Sequence, residues 1–301
     1  MKYLGVYVKG MAMGCADVIP GVSGGTIAFI TGIYTELLES IKSVNLNTVK
    51  TLFTQGPKAA WQSINGTFLI TLLAGILTAI LSLAKVIHYL LDTQAILVWS
   101  FFFGLILASS IHMAKQITQW KITTNLALII GILIAAFISL ASPTSIEASY
   151  INIFIAGSIA ICAMILPGIS GSFILLLMGL YGPVLAAIKG FQLDIMTVFA
   201  AGAVIGLMLF SRVLSWLLAH YKDLMFSLLT GFMLGALLKV WPWKEIISVR
   251  LNSKGVEVPF QEMVRLPQWA NNDQIEAALV AAIVGFACVL LLEKVSNRLE
   301  N

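Results

Sequence analysis

Charge is what this chain has least of. Asp, Glu, Lys and Arg make up 11% of its 301 residues while apolar residues make up 59%, less than half the charged fraction usual in a soluble globular domain. That excludes an ordinary water-facing surface and points to a bilayer as solvent. Cysteine and histidine are scarce too, with three of each. Cys15, Cys162 and Cys288 stand in apolar sequence without metal-type spacing and read as reduced packing residues. His88, His112 and His220 lie neither within a helical turn of one another nor beside an acidic cluster, so no metal site and no cofactor are expected. The net charge of +4 comes without a basic cluster interleaved with aromatics, which argues against nucleic acid as a partner. Gly5, Lys9, Gly10 and Gly14 interrupt any apolar core after Met1, so a cleaved signal peptide is not expected.

What is present is long apolar sequence and a duplication. Phe68 to Leu91, Ala95 to Ile111, Leu126 to Ala141, Ile195 to Ala219, Leu224 to Leu238 and Ile275 to Leu292 are nearly uninterrupted, and each approaches the roughly 20 residues that cross a hydrocarbon core. PGVSGG, Pro20 to Gly25, recurs as PGISGS, Pro167 to Ser172, an offset of 147 (167 − 20). The same offset lays Gly10, Cys15 and Ala16 on Gly157, Cys162 and Ala163, and Gly32, Tyr34 and Lys42 on Gly179, Tyr181 and Lys189. Further on the offset is 127, laying Gly75, Lys85 and Gly104 on Gly202, Arg212 and Gly231. Such self-similarity marks one structural unit used twice.

Pro20 with Gly21, and Pro167 with Gly168, interrupt helix-like sequence. Irregular backbone at membrane depth is tolerated only where protein or a water-filled cavity satisfies its amides, so a re-entrant hairpin or broken helix is expected at each. The expected fold is an all-α polytopic membrane protein of two repeats, residues 1–149 and 150–301, each a hairpin or broken helix followed by three transmembrane helices. An extramembrane connection near 241–272 carries a surface hairpin around Asn252 to Gly255. An odd number of crossings per half turns the second half over, giving the inverted topology that marks many secondary transporters. Lysines crowd the loops on the N-terminal side of the first half, which puts both termini in the cytoplasm. The long connection, with Lys244, Arg250, Lys254 and Arg265, dissents.

The chemistry is expected where the chain breaks. Ser23, Gly24, Gly25 and Thr26 open a helix whose first amides are unbonded, and Ser170, Gly171 and Ser172 offer the same from the other half. Together they form an anion site, unless the small residues only let helices pack closely. Arg212 sits deep in an apolar span with Lys85 as its repeat partner. A lone cation there faces protein, cavity or ligand, although Lys85 is near enough to a polar turn to snorkel. Asp17, matched by Met164, is an unpaired acid suited to a coupling proton or sodium, to pairing with Arg212, or to helix capping. Two other readings stay open. The same site would suit a small soluble anion. Gly21-Val22-Ser23-Gly24-Gly25 also matches G-x-S-x-G and resembles the rhomboid motif, which would make Ser23 a hydrolase nucleophile. The sequence before Ser23 is not strand-like and neither His88 nor His220 has an evident orienting acid, so an enzyme is not the reading preferred.

MGCADVIPGVSGGTIAFITGIYTELL, PGISGSFILLLMGLYGPVLAAI and FSRVLSWLLAHYKDLMFSLLTGFMLGALLKVWPW together resemble the bacterial polyprenyl-phosphate transporter family across nearly the whole chain. The resemblance implies a flippase that returns undecaprenyl phosphate, the carrier lipid of peptidoglycan and other cell envelope precursors, across the cytoplasmic membrane for recycling. It singles out Asp17, Pro20, Gly21, Ser23, Gly24, Gly25, Pro167, Gly168, Ser170, Gly171, Ser211 and Arg212.

Overall fold

A computed structural model describes residues 2–19, 21–251, 257–268 and 274–300. Pro20 and the turn expected at Asn252 to Gly255 lie outside the described residues. The described chain is an all-α bundle with one small β-hairpin. It begins with α1 (Lys2–Asp17), a break, α2 (Gly24–Ile30) and α3 (Tyr34–Ser43), followed by the short α4 (Leu46–Gln55) and α5 (Pro57–Ser63). Three long helices come next: α6 (Gly66–Thr93), α7 (Ala95–Ala114) and α8 (Ile122–Leu140). The pattern then recurs as α9 (Tyr150–Ile165), α10 (Gly171–Leu177), α11 (Tyr181–Lys189), α12 (Leu193–His220), α13 (Lys222–Ala236) and α14 (Ile275–Glu300), with β1 (Lys244–Leu251) and β2 (Glu257–Val264) between the last two.

The duplication is visible element by element. α1 and α9 are each 16 residues, α2 and α10 each 7, α6 and α12 each 28. Gly21 and Gly168 turn at φ 89° and 87°, Gly32 and Gly179 at 73° and 72°. Only glycine enters that region cheaply, so the duplicated glycines are the chain's corners. After the second corner α11 departs from α10 at 111°, which makes the second hairpin a descent, a kink, a half-length return and a sideways exit.

Glycines also decide the long-range packing, because a helix without Cβ atoms on one face lets a neighbour's backbone approach. Gly10 and Gly14 of α1 face Leu72 and Ile76 of α6, and Gly75 of α6 faces Tyr7. Rising numbers meet rising numbers, so α1 and α6 run parallel. The second pair copies this arrangement: Gly157 faces Phe199, and Ser158 Oγ donates to Gly202 O at 2.7 Å. α8 and α13 run parallel past Gly131, Gly231 and Gly235, while α7 and α14 cross at Gly104 and Gly285.

Among the described residues five helices, α6, α7, α8, α12 and α14, are long and apolar enough to cross a membrane. Their outward faces carry exposed apolar residues such as Leu81 (80%) and Phe137 (76%), which water would not tolerate in this number and lipid would. The chain is a multi-pass membrane protein. The span expected over Leu224 to Leu238 is a 15-residue helix, α13, short of the usual crossing length. It unwinds at Leu237, and the turn that follows carries Lys239 and Val240 inward. The polar stretch between α3 and α6 is itself helical, because Asn45 caps α4 and Pro57 opens α5.

Candidate functional site

The two breaks meet. Ser23 is the N-cap of α2, in extended conformation at φ −119°, ψ 132°, and its Oγ accepts from the Gly25 amide at 3.1 Å. The same hydroxyl lies within donating distance of Met164 O (2.9 Å) and Leu166 O (3.2 Å) on the other hairpin. Three residues on, Thr26 Oγ1 accepts from the Gly168 amide at 3.0 Å. A Cβ at Gly25 would stand 2.4 Å from Ile165 O, so glycine is what lets α2 lie against the end of α9. Residues about 142 positions apart are thereby joined through side chains, each completing a backbone group that the other hairpin's kink leaves unpaired.

The two helix starts are not equivalent. At the first, Asp17 Oδ1 accepts from the Gly24 amide at 2.7 Å, Ser23 Oγ takes Gly25, and Ser23 O takes Thr26 at 3.0 Å. The amides expected to be bare are therefore bonded within the hairpin. At the second, Ser170 provides no side-chain cap, and its hydroxyl pairs with that of Ser172 at 2.9 Å. Asp17 thus caps the first helix with one oxygen. Its other oxygen, Oδ2, is buried without a hydrogen-bond partner.

Arg212 is half-buried on α12 and donates to Met208 O at 2.6 Å and to Val44 O, just past the end of α3, at 3.3 Å. It shares that corner with Ser211, whose hydroxyl turns back to Met208 O, and with a polar group of Lys42, Glu39 and Ser215. No contact joins Arg212 to Asp17 among the described residues. Lys85, its repeat partner, is exposed on α6.

A cation outside the repeated motifs, Lys239, lies against both kinks. Lys239 lies so close to Gly21 that a Cβ there would stand 2.5 Å from its Cγ. With Gly21, Gly168, Ser170 and Phe173 it lines a cleft of about 10 Å³, room for little more than one water. The Lys239 ammonium sits 4.4 Å from the Phe173 ring centre. Beyond it, Lys239 and Lys244 share a single carboxylate, Glu262 of β2, at 3.6 and 3.5 Å. Lys244 also lies 4.0 Å over the Trp99 ring, and burial pushes its ammonium down to about 8 even with Glu262 beside it. The available signal was the offset of 127, which sets Lys239 on His112, another polar residue ending an apolar helix.

For Ser23 the hydrolase arrangement is not assembled. A helix precedes it rather than a strand, and its hydroxyl's neighbours are the backbone groups of Gly25, Met164 and Leu166. Two of the histidines are engaged elsewhere, His112 with Gln116 and with Glu293 at 3.2 Å, and His220 with Trp216 O.

The cross-hairpin bonds make a direct prediction. Thr26→Val keeps the volume and leaves the Gly168 amide buried and unpaired, which costs about 1–3 kcal/mol. Thermal melts in detergent should show a lower transition for Thr26→Val and little change for Thr26→Ser, which retains the acceptor.

A family model described as undecaprenyl phosphate translocase-like matches residues 13–258. A polyprenyl-phosphate transporter of Vibrio cholerae serotype O1 is 53% identical over 309 residues, covering 99% of this chain and 98% of that one. One of Staphylococcus aureus, under the same name, is 37% identical over 254 residues, covering 78% and 85%. No solved structure matches the chain.

Proposed function

The chain belongs to the undecaprenyl phosphate translocase-like family, and from that premise we propose that it is a secondary transporter, a flippase that carries polyprenyl phosphate across the cytoplasmic membrane so that the carrier lipid can be used again. The observation that carries this reading is the junction of the two kinks through Ser23 and Thr26, deep in a bundle whose outer faces are apolar. Broken helices that meet at a repeat boundary are where secondary transporters bind their cargo.

The two repeats, residues 1–149 and 150–301, stand upside down to one another in this reading, with both termini cytoplasmic. Support comes from the packing directions: α1 runs with α6 and α9 with α12, and three long helices separate the first hairpin from the second. The phosphate head group is held where the kinks cross. Ser170, Gly171 and Ser172 present the uncapped helix start, while Ser23, Gly24, Gly25 and Thr26 frame the opposite side. Arg212 and Lys85 are the cations along the route, and the polyprenyl tail stays in lipid. Asp17 carries the coupling proton or sodium, for which its unpartnered oxygen is the attachment point.

Reconstituted vesicles test this. The wild-type protein should accelerate movement of a short-chain fluorescent polyprenyl phosphate between leaflets, and well-inserted Ser23→Ala and Arg212→Ala proteins should lose most of that rate. Equal transport of inorganic phosphate would favour a small-anion carrier, and normal transport by both variants would remove their assignment.

A further inference from the structure

The structure points to a second element of recognition, and we propose that Lys239 and Lys244 form the docking pair for a phosphate monoester, with Glu262 as a built-in counter-ion that the incoming phosphate displaces. This rests on the transport reading above and adds to it both the cations that receive the head group and the carboxylate that holds them without it.

Three observations carry it. The first is charge count: two ammonium groups, with side chains 19% and 9% exposed, share one carboxylate that is 26% exposed. A buried positive charge left without a counter-ion is strongly unfavourable, so the pair has capacity for one more negative charge. A phosphate monoester carries about −1.5 to −2 near neutral pH and three strong acceptor oxygens, enough to serve both lysines at once.

The second is place. Lys239 lines the cleft with Gly21, Gly168 and Ser170 from both kinks, so an anion bridging Lys239 is also within the ring of groups proposed to pass it through the membrane. Arg212 is bonded at the α3 end instead. The third is the origin of Glu262. It comes from β2, whose register sets Lys244 opposite Val264 and Glu262 opposite Ile246. Glu262 and Lys244 are therefore diagonal neighbours on one face of the ribbon, close enough for long side chains to meet. The ribbon brings its own lysine and its own carboxylate to Lys239. The cleft of about 10 Å³ must widen to admit a phosphate, and Lys239 meets it by giving up the Glu262 carboxylate.

Substitution of Glu262 separates this from a structural ion pair. Binding of farnesyl phosphate to the purified full chain in nanodiscs would be measured by calorimetry, with inorganic phosphate and farnesol as parallel probes. Glu262→Gln should bind farnesyl phosphate roughly tenfold more tightly, and Lys239→Gln and Lys244→Gln roughly tenfold more weakly. Lys239→Arg, which keeps the charge, should bind near the wild-type level and reports on folding at that position. Farnesol should not respond to any of these changes. Weaker binding by Glu262→Gln, or three variants indistinguishable from a wild type that binds, would overturn this inference and leave the transport reading standing. Inorganic phosphate bound as tightly as farnesyl phosphate would overturn the lipid head group as the ligand. A wild type that binds no farnesyl phosphate would overturn both readings.

Discussion

Gly25→Ala is expected to yield a protein that inserts in the membrane and transports almost nothing. The added Cβ would stand 2.4 Å from Ile165 O and 3.0 Å from Met164 O. Both are backbone atoms and cannot rotate away. Relief requires α2 to retreat from α9 by about an ångström, beyond the reach of the Ser23 contacts at 2.9 and 3.2 Å and the Thr26 contact at 3.0 Å, since hydrogen bonds weaken steeply past about 3.5 Å. Overpacking of this kind costs about 1–3 kcal/mol, survivable for a large bundle, whereas the geometry of the junction is lost outright. The check is a vesicle flipping assay beside a melting curve: the rate should collapse while the melting temperature moves modestly. Gly5→Ala is the control, because nothing lies within 4 Å of the Cβ it adds, and it should leave both unchanged.

Gly231→Leu should do the opposite, destroying stability before function can be asked about. At this position α8 and α13 cross closely, a Cβ standing 2.3 Å from Leu128 O and 3.0 Å from Ile132 N. A leucine there has no free direction. Gly104→Leu should behave alike, with a Cβ 1.9 Å from Ala282 O. Separating two long helices removes packing along their length, a loss at the upper end of overpacking costs, about 3 kcal/mol or more. At roughly 2–4 °C per kcal/mol for chains of this size, the thermal transition should fall by about 10 °C. Fluorescence-detected size exclusion after a heating series would measure it, and a variant that melts like the wild type would show that the crossing is looser than described.

Much of this was readable in the letters because duplication encodes geometry. The pairing of Gly21 with Gly168, and of Gly32 with Gly179, foretold corners that occur at matching dihedral angles. Apolar length foretold α6, α7, α8, α12 and α14, since a membrane imposes one dimension on every helix that crosses it. α13 was misjudged because hydropathy continues to Leu238 while the helix ends at Ala236, and hydropathy reports solvent rather than backbone conformation. The state of the α2 amides was equally hidden: that Asp17 and Ser23 fold back onto Gly24 and Gly25 depends on the path of the kink, which no local pattern specifies. Lys239 was passed over for a different reason. It follows an apolar run and precedes Trp241, so in one dimension it reads as a loop residue, and only the return of the chain brings it against Gly21.

The bonds from Ser23 and Thr26 to the opposite hairpin have a kinematic consequence. Each hydroxyl spans the divide between halves that would have to shift for cargo to face first one compartment and then the other. While those rivets hold, the two tips turn together or not at all. In the transport proposed above they would act as a fulcrum, and the displacement that exposes the cargo to one side and then the other would fall to the long helices around it.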